Sequence, residues 1–476
     1  MAERGNKMSN IIISPVTRIS GFLEIDVTIE NNMVIDAKSV GLFFRGFEKM
    51  MNGRNPFDAV YFTERICGIC STAHSLTSTL ALENALGIIP SEQGRYLRDI
   101  IHGCEFLQNH IRHFYQFKVP DFVKMPEEFT FFDTSNYDYR IPIEKNDLIA
   151  KHYFESLELS RDAHQILALF GGKAPHNHGI FLGGATSIAT ADKIIKFKSI
   201  LLEISQFIEE KMLPDVYTIS EYYSDYFLMG GGYGNLLSYG CFNDYKDLGT
   251  LYLGPLVYRN REISILHPEN ITEEIDYSWY FDQMDSYRPF ETVPMDDMNK
   301  NAAYSWVKAA KYQGISYEGG PLARQWLSGE YRHGISAMDR TIARVLETKK
   351  IAEILNVLID NLIPGILTQT EYEIPVQALG AGLVDTTRGP LGHWLKIDDS
   401  VISFYQIITP SVWNLSSRGN DGRRGTVEQA LIGTYIEDEE NPVALGRIVR
   451  TFDPCVSCAT HVHYSNKKSK VIQVVP

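Results

Sequence analysis

The sequence predicts a mainly α-helical protein with a small β-rich portion at its N-terminus. Apolar residues recur at helical spacing over long segments in the middle and late parts of the chain. A short N-terminal segment instead alternates apolar and polar residues, as a half-buried strand does. No internal repeat, block of like charge or Pro/Gly/Ser-rich linker divides the 476 residues. We therefore expect one large α+β unit with a helical-bundle core.

The β-rich portion is expected over about residues 11–60. Polar residues separate its apolar positions, and the Asn31-Asn32 pair that follows is typical of a tight turn. This pattern predicts a β-hairpin or small sheet. The alternating apolar residues are Leu23, Ile25, Val27 and Ile29.

Two apolar stripes predict long amphipathic helices in the body that follows. Residues 1–461 are expected to form a single domain, and residues 462–476 a C-terminal extension with an exposed lysine cluster. The first stripe comprises Leu97, Ile100, Ile101, Cys104, Leu107, Ile111 and Phe114, and the second Ile342, Val345, Leu346, Ile354, Leu355, Leu358 and Leu362.

Composition excludes several classes of function. The chain is 44% hydrophobic and 22% charged, so it can bury a sizeable core. Its net charge of −14 repels nucleic acid and anionic lipid. No segment approaches the roughly 18 apolar residues that a membrane helix needs, and the opening residues lack the apolar core of a secretory signal. We expect a soluble chain that binds no nucleic acid and does not itself span a membrane.

Two CxxC pairs are the most informative motif in the chain. Each pair, Cys67 with Cys70 and Cys455 with Cys458, can present two thiolates to one metal ion. Four sulfur ligands suit zinc, an iron–sulfur cluster or another thiophilic metal such as nickel. A structural zinc is the usual occupant of paired CxxC motifs, but zinc ribbons close loops of about 15 to 20 residues. Here Cys67 and Cys455 are 388 residues apart, which favours a metal in the core of a large chain.

The residues around the cysteines are also unlike those of a zinc ribbon. His74 follows the first pair, and Asp453 and His461 flank the second. Residues 64–70 (ERICGIC) with His74, and residues 453–458 (DPCVSC) with His461, resemble the two signatures of the [NiFe]-hydrogenase large subunit. Similar blocks occur along the whole chain, at residues 14–19, 44–48, 113–115 with Asp121, 171–173, 388–394 and 410–414.

The resemblance implies the helical fold of those subunits and a Ni–Fe(CO)(CN)₂ centre. All four motif cysteines would ligate nickel, and the second of each pair, Cys70 and Cys458, would also bridge to an iron that carries CO and cyanide. Thiolates suit this role because soft, electron-rich donors allow nickel to change oxidation state.

Two further sites follow from the same resemblance. Arg388 would lie over the metals between Asp121 and Asp453, since an unpaired buried guanidinium is costly. Its donors and the Ser411 hydroxyl would bind the cyanide nitrogens. A buried Mg²⁺ or similar divalent ion would be held by Glu48, His461 and the Ile407 carbonyl.

The chain departs from the family at positions near the proposed centre. Ser20 stands where most relatives have a proton-accepting glutamate, and Thr387 replaces a proline. If Ser20 and Glu24 share one face of a strand beside the centre, the Ser20 hydroxyl could hold a water that relays protons to a carboxylate or to His74. The alternative is that Ser20 only fills space.

The implied reaction is reversible heterolytic cleavage of H₂ into protons and electrons. Cys104 and Cys241 are isolated and leave no thiol set for an iron–sulfur wire, so the electrons would pass to a small subunit that carries Fe–S clusters. The alternatives are a slow-turnover H₂ sensor and a structural Cys₄ zinc protein.

Maturation and location are also implied by the resemblance. A nickel-dependent protease would cut after His461, and nickel and iron insertion proteins would load the centre. The chain would be membrane-associated through its partner subunits and exported with the small subunit, or else cytoplasmic.

Overall fold

The computed structural model describes residues 8–129, 138–281, 286–291, 295–456 and 471–472. Its strands are β1 (Met8–Ile13), β2 (Leu23–Glu30), β3 (Met33–Gly41), β4 (Ile180–Phe181), β5 (Gly184–Ala185), β6 (Leu236–Ser238), β7 (Leu256–Arg259), β8 (Glu262–Ile265), β9 (Ile271–Glu274), β10 (Ala309–Tyr312), β11 (Gln377–Thr386), β12 (Gly389–Asp398), β13 (Val401–Ile408) and β14 (Val471–Ile472).

The α-helices are α1 (Phe47–Met50), α2 (Asp58–Thr63), α3 (Ser71–Leu86), α4 (Glu92–Arg112), α5 (Ile143–Gly171), α6 (Ala191–Phe207), α7 (Leu213–Tyr222), α8 (Pro321–Ser328), α9 (Ala337–Asp360), α10 (Pro410–Asn414), α11 (Thr426–Leu431) and α12 (Val443–Thr451). A 3₁₀ turn, Glu64–Ile66, precedes Cys67, and a π-helical segment, His113–Lys118, extends α4.

The N-terminal sheet has the order β14-β1-β2-β3. Strands β1, β2 and β3 are antiparallel neighbours, and β14 pairs in parallel with β1. The apolar residues of β2 are all buried and the polar residues between them are half-buried, and Asn31 and Asn32 take left-handed backbone angles in the turn. The predicted hairpin is confirmed, but it ends at Gly41, and residues 47–63 are mainly helical.

The helical body packs α4 between α5 and α9. Both predicted stripes lie in one buried core, in which Ile100, Ile101 and Leu107 of α4 meet Leu355 and Leu358 of α9. Burial of these stripes stabilises the helices more than their intrinsic propensity does. The mainly helical fold class is confirmed. No helix within the described ranges is long and apolar enough to cross a membrane.

A late three-stranded sheet, β11-β12-β13, was not predicted from the sequence. Strand β12 is buried on both faces, so it lacks the alternation that reveals a strand. Helix α3 lies directly on β11: a Cβ at Gly382 would be 2.2 Å from the Thr77 carbonyl oxygen, so only glycine permits this approach. The contact holds the start of α3 close to the turn between β11 and β12.

Candidate metal centre

The first cysteine pair lies at the start of α3. Cys67 has an extended backbone after the 3₁₀ turn, and Cys70 is the N-cap residue of α3. Both are buried, with 1% and 8% of their surface exposed. A helix N-terminus favours negative charge, so this position suits a residue that binds a metal as a thiolate.

The second motif reaches the same place from the other end of the chain. After α12 the backbone turns at Asp453, which has a positive φ of 53°. Cys455 then forms a parallel β-bridge with Ser20, whose N–H donates to the Pro454 carbonyl (3.1 Å) and whose carbonyl accepts from the Val456 N–H (2.8 Å). The N-terminal segment therefore holds the last described cysteine in place.

Three sulfurs converge on one point. The Cys67 and Cys455 sulfurs are 3.1 Å apart, and those of Cys70 and Cys455 are 4.0 Å apart. The shorter distance is far longer than the roughly 2.05 Å of a disulfide. Two thiolates about 2.3 Å from one ion are at most about 4.6 Å apart, so both distances fit shared ligation of a metal. Within the described part of the chain, these three residues form the one cluster of potential metal ligands. Cys458 lies outside the described residues.

Arg388 lies beside the sulfurs, at the turn between β11 and β12. It shares a cavity of about 10 Å³ with Cys70 and Cys455. Its Nε donates to the Asp453 carbonyl (3.0 Å), and its terminal nitrogen lies 3.0 Å from the Asp453 carboxylate. Burial opposes the charge, but Asp453 and the cysteine sulfurs together raise the pKa of Arg388 above its ordinary value. The same ion pair, together with the charge of Arg344, lowers the pKa of Asp453 despite its burial.

The second partner of Arg388 is Asn109, and the prediction that Asp121 flanks Arg388 is wrong. Asn109 on α4 accepts from Arg388 (2.7 Å) and donates to the Asp453 carboxylate (2.8 Å). Asp121 lies beyond the π-helical segment, where its carboxylate pairs with Arg18 (2.6 Å) and Lys118 (3.1 Å). These cations, with Arg450, hold the pKa of Asp121 well below its usual range although burial opposes this.

The sequence nevertheless carries a signal for Asn109. Glu105, Asn109 and Arg112 follow one another at spacings of four and three residues, so they form a polar stripe along α4. All three contact residues at or next to the centre: Glu105 accepts from the N–H groups at the start of α3, and Arg112 donates to Asn109 (2.8 Å). A polar stripe on a helix that is buried on nearly every face indicates a site.

Ser411, Thr387 and His74 line the same cavity as Arg388. The Ser411 oxygen accepts from the Cys455 N–H (3.2 Å), and the Thr387 hydroxyl makes a long contact of 3.4 Å with Arg388. His74 Nδ1 lies 3.1 Å from His393 Nε2. Burial lowers the pKa of His74 to about 4, so its imidazole is neutral near pH 7.

Ser20 adjoins the centre, but the prediction that it shares one strand face with Glu24 is wrong. Gly21 has a positive φ of 90°, and β2 begins only at Leu23. Ser20 and Glu24 are therefore not on one face of one strand. The Ser20 backbone pairs with the Cys455 segment instead.

A second cavity, of about 70 Å³, is lined by Cys455, Glu48 and Ile407. Glu48 accepts from the Ile407 N–H (3.2 Å), and Lys308 lies between Glu48 (3.7 Å) and Glu273 (2.9 Å). Burial raises the pKa of Glu273. One carboxylate oxygen of Glu273 and the amide oxygen of Gln406 are buried without a hydrogen-bond donor. Unsatisfied oxygens of this kind fit a hydrated divalent cation. His461 lies outside the described residues.

Comparisons with known proteins agree along the whole chain. The profile of the nickel-dependent hydrogenase family matches residues 45–130, 128–335 and 327–461. The periplasmic [NiFeSe] hydrogenase large subunit of Desulfomicrobium baculatum is 35% identical, with 98% of this chain and 97% of that protein covered. The hydrogenase-2 large chain of Escherichia coli K12 is 31% identical, with coverages of 95% and 97%.

Solved structures show the same similarity in three dimensions. The reduced Ni-Fe-Se hydrogenase from D. vulgaris Hildenborough superposes with a TM-score of 0.92 at 37% identity, over 96% of this chain and all of that one. The H₂-activated [NiFeSe] hydrogenase of Dm. baculatum gives a TM-score of 0.92 at 34% identity, with coverages of 96% and 100%.

Proposed function

This chain belongs to the nickel-dependent hydrogenase family as a catalytic large subunit, and on that premise we propose that its four motif cysteines hold a nickel–iron centre. The observation that carries the proposal is the convergence of three buried sulfurs within 4.8 Å of one another. They come from opposite ends of the chain, and a cation at Arg388 balances their charge. When bound, the centre supplies the electron-rich metal chemistry that splits H₂.

Arg388 and Ser411 are proposed to bind the cyanide ligands of the iron. The Ser411 oxygen already accepts from the Cys455 N–H, so its own O–H remains available as a donor. Asp453 and Asn109 fix the guanidinium from behind. Because these partners hold Arg388 before any ligand binds, its donors are preorganised in a pocket that excludes bulk water. Thr387 adds a hydroxyl to the same wall.

Ser20 and His74 are proposed to take part in proton transfer at the metal centre. The Ser20 hydroxyl is suited to orienting a water near Cys455, because its backbone is fixed to that segment by two hydrogen bonds. A hydroxyl can pass on a proton but cannot store one near neutral pH. His74 is neutral and has a hydrogen-bond partner in His393, so it can accept a proton only transiently.

Glu48, the Ile407 carbonyl and His461 are proposed to hold Mg²⁺ or a similar ion. The support is the cavity beside Cys455, which Glu273 also lines, and the Glu273 carboxylate oxygen that is buried without a hydrogen-bond donor. The positive charge of Lys308 balances the two carboxylates around it. Cleavage after His461 by a maturation protease, once insertion proteins have loaded nickel and iron, would free the new terminus to reach this cavity.

A small subunit carrying Fe–S clusters is the proposed electron partner. The remaining described thiols, Cys104 and Cys241, are buried separately, and burial raises the pKa of each well above its ordinary value. Such thiols do not ligate an electron-transfer cluster, so electrons must leave through another protein. One relative is named periplasmic, and we propose location at a membrane through the partner subunits, with export alongside the small subunit.

Metal analysis of the mature protein tests this function. We expect about one nickel and one cluster iron per chain, and infrared bands of bound CO and cyanide. Replacing any one of the four cysteines with alanine should abolish nickel binding, because every thiolate is a ligand. Cys104→Ala is the matched control and should retain nickel. Stoichiometric zinc in place of nickel, in protein matured in its own host, would contradict the proposal.

A further inference from the structure

A row of buried polar side chains leads away from the metal centre along the start of α3. Its first member is Glu105 on α4, which is 4% exposed. The Glu105 carboxylate accepts from the N–H groups of Thr72 (2.8 Å) and Ala73 (3.0 Å). Cys70 caps the same helix end, and Ala73 lines the small cavity that contains Cys70 and Arg388. Glu105 therefore contacts the backbone of a residue that lines the cavity at the metal centre.

The Asn177 side chain gathers the next members of the row. Its amide nitrogen lies 3.3 Å from the Thr72 hydroxyl and 3.1 Å from the Ser75 hydroxyl. The same nitrogen lies 3.2 Å from the Glu64 carboxylate. The amide oxygen accepts from two backbone N–H groups, at 3.1 and 3.0 Å, which fixes the nitrogen toward the row. Asn177 thus joins the two hydroxyls to Glu64, while the Thr72 hydroxyl also contacts Glu105 and the Ser75 hydroxyl contacts Glu64.

The outer end of the row lies just below the surface. Glu64 is 1% exposed, while its neighbour Arg65 and the nearby Lys173 are exposed. The Glu64 carboxyl is therefore buried next to residues that reach the solvent. The inner end lies at the centre and the outer end near solvent, so the cluster connects the two.

Among the described residues, neither Glu64 nor Glu105 is half of an ion pair. Other buried glutamates are paired with arginines: Glu83 with Arg98 at 2.9 Å and Glu347 with Arg324 at 2.7 Å. Within the described ranges, Glu64 and Glu105 have no cation at ion-pair distance. Burial accordingly raises the pKa of Glu64 to about 8 and that of Glu105 to about 7. Groups with such values bind and release protons near neutral pH.

We propose that Glu105, the Thr72 and Ser75 hydroxyls and Glu64 carry protons between the metal centre and the surface. Splitting of H₂ leaves one proton on a base at the centre, and this proton passes to the Glu105 carboxylate. Each hydroxyl then accepts one proton and releases another, and Glu64 delivers one to water. No electrons are involved, and H₂ formation runs the same transfers in reverse. This inference rests on the proposed metal centre and supplies the storage group that Ser20 cannot provide.

The experiment compares variants of the mature, metal-loaded enzyme. Thr72→Val removes one hydroxyl at nearly constant volume, and Thr72→Ser keeps it. We expect exchange between D₂ and water in Thr72→Val to be at least about tenfold slower than in Thr72→Ser, and a similar loss in Glu105→Gln. Glu428→Gln is the matched control, because Glu428 is another fully buried carboxyl whose pKa burial raises to about 7, and its carboxylate accepts from the Ser39 and Gly425 N–H groups, outside the row. It should exchange at the wild-type rate.

A second measurement does not depend on turnover. In the metal-free chain near pH 6, Glu105 should give the infrared band of a protonated carboxyl group, and the band should disappear in Glu105→Gln. Absence of that difference would overturn the role of Glu105 as a proton store.

Metal content and the infrared bands distinguish failure of the proposed metal centre from failure of the proton relay. Lack of nickel and of the CO and cyanide bands in the wild type would overturn the proposed centre. Normal bands with wild-type exchange in both Thr72→Val and Glu105→Gln would overturn the relay alone. If Thr72→Val fails to bind nickel, the comparison of Ser75→Ala with Ser75→Thr provides the same test at the other hydroxyl of the row.

Discussion

Asn109 offers the sharpest test of how the guanidinium over the centre is held. Its side chain donates to Asp453 (2.8 Å) and accepts from Arg388 (2.7 Å) and Arg112 (2.8 Å). Asn109→Leu removes three hydrogen bonds to charged groups at similar side-chain volume. Each such bond contributes about 1.5–3 kcal/mol. Asp453 keeps Arg388 and Arg344 as partners, at 3.0 and 3.2 Å, so part of the loss is recovered. We expect a net destabilisation of roughly 3–5 kcal/mol.

Unfolding of the metal-free chain measures this cost directly. A protein of this size has an unfolding entropy near 1 kcal/mol per kelvin, so the melting temperature should fall by roughly 3–5 °C. Asn356→Leu is the control: Asn356 is an exposed asparagine within α9 whose amide makes one backbone hydrogen bond, and its replacement should change the stability by no more than about 0.5 kcal/mol. In loaded protein, Asn109→Leu should also shift the cyanide bands, because Arg388 loses one of its supports. A loss below about 1 kcal/mol with unshifted bands would refute the assignment of Asn109 as a positioning residue.

Three other predictions follow from the geometry. Ser20→Glu should accelerate hydrogen–deuterium exchange if proton transfer limits turnover, since a positioned base contributes roughly 10²–10⁴ in rate, and Ser20→Ala should slow it without loss of nickel. The intact mass of active protein should show cleavage between His461 and Val462. Burial raises the pKa of Glu428 from 4.5 to about 7, so folded protein binds a proton that unfolded protein has released, and stability falls as pH rises through that window. The Glu428→Gln variant does not lose stability in this way. The free energy of unfolding of the variant minus that of the wild type should therefore rise by about 3 kcal/mol from pH 4.5 to 7.5, measured by denaturant unfolding.

Each of these predictions has an outcome that contradicts it. Wild-type exchange in both Ser20 variants would mean that the proton avoids this position. Fully active, nickel-loaded enzyme that retains residues 462–476 would exclude maturation by cleavage. A stability difference for Glu428→Gln that is constant with pH would show that Glu428 is ionised in the folded protein throughout.

Residue type and spacing were sufficient to predict the parts of the site that are local in sequence. A CxxC turn presents its two sulfurs in one direction whatever surrounds it, so Cys67 and Cys70 could be identified directly. The β2 alternation predicted a hairpin because one face of that strand is buried and the other is not. Strand β12 has no such contrast, and it was missed.

The partners of Arg388 could not be derived from sequence distance. Asn109 and Asp121 are separated by the π-helical segment, which changes the number of residues per turn and so the direction of the side chains after it. Asp121 instead neutralises a cluster of cations around Arg18, Lys118 and Arg450. The packing of α4 against α3, α5 and α9 decides which of its polar residues faces Arg388, and this packing exists only in the folded chain.

The convergence of Cys67, Cys70 and Cys455 from opposite ends of the chain has a consequence for synthesis of the protein. Cys67 and Cys70 leave the ribosome 388 and 385 residues before Cys455. At about 5–20 residues per second this delay is roughly 20 to 80 s. Throughout that interval the nascent chain presents an incomplete two-sulfur site, able to capture whichever thiophilic ion is abundant. The metal specificity of the finished site, which needs thiolates from both ends of the chain, is therefore absent until Cys455 has been made.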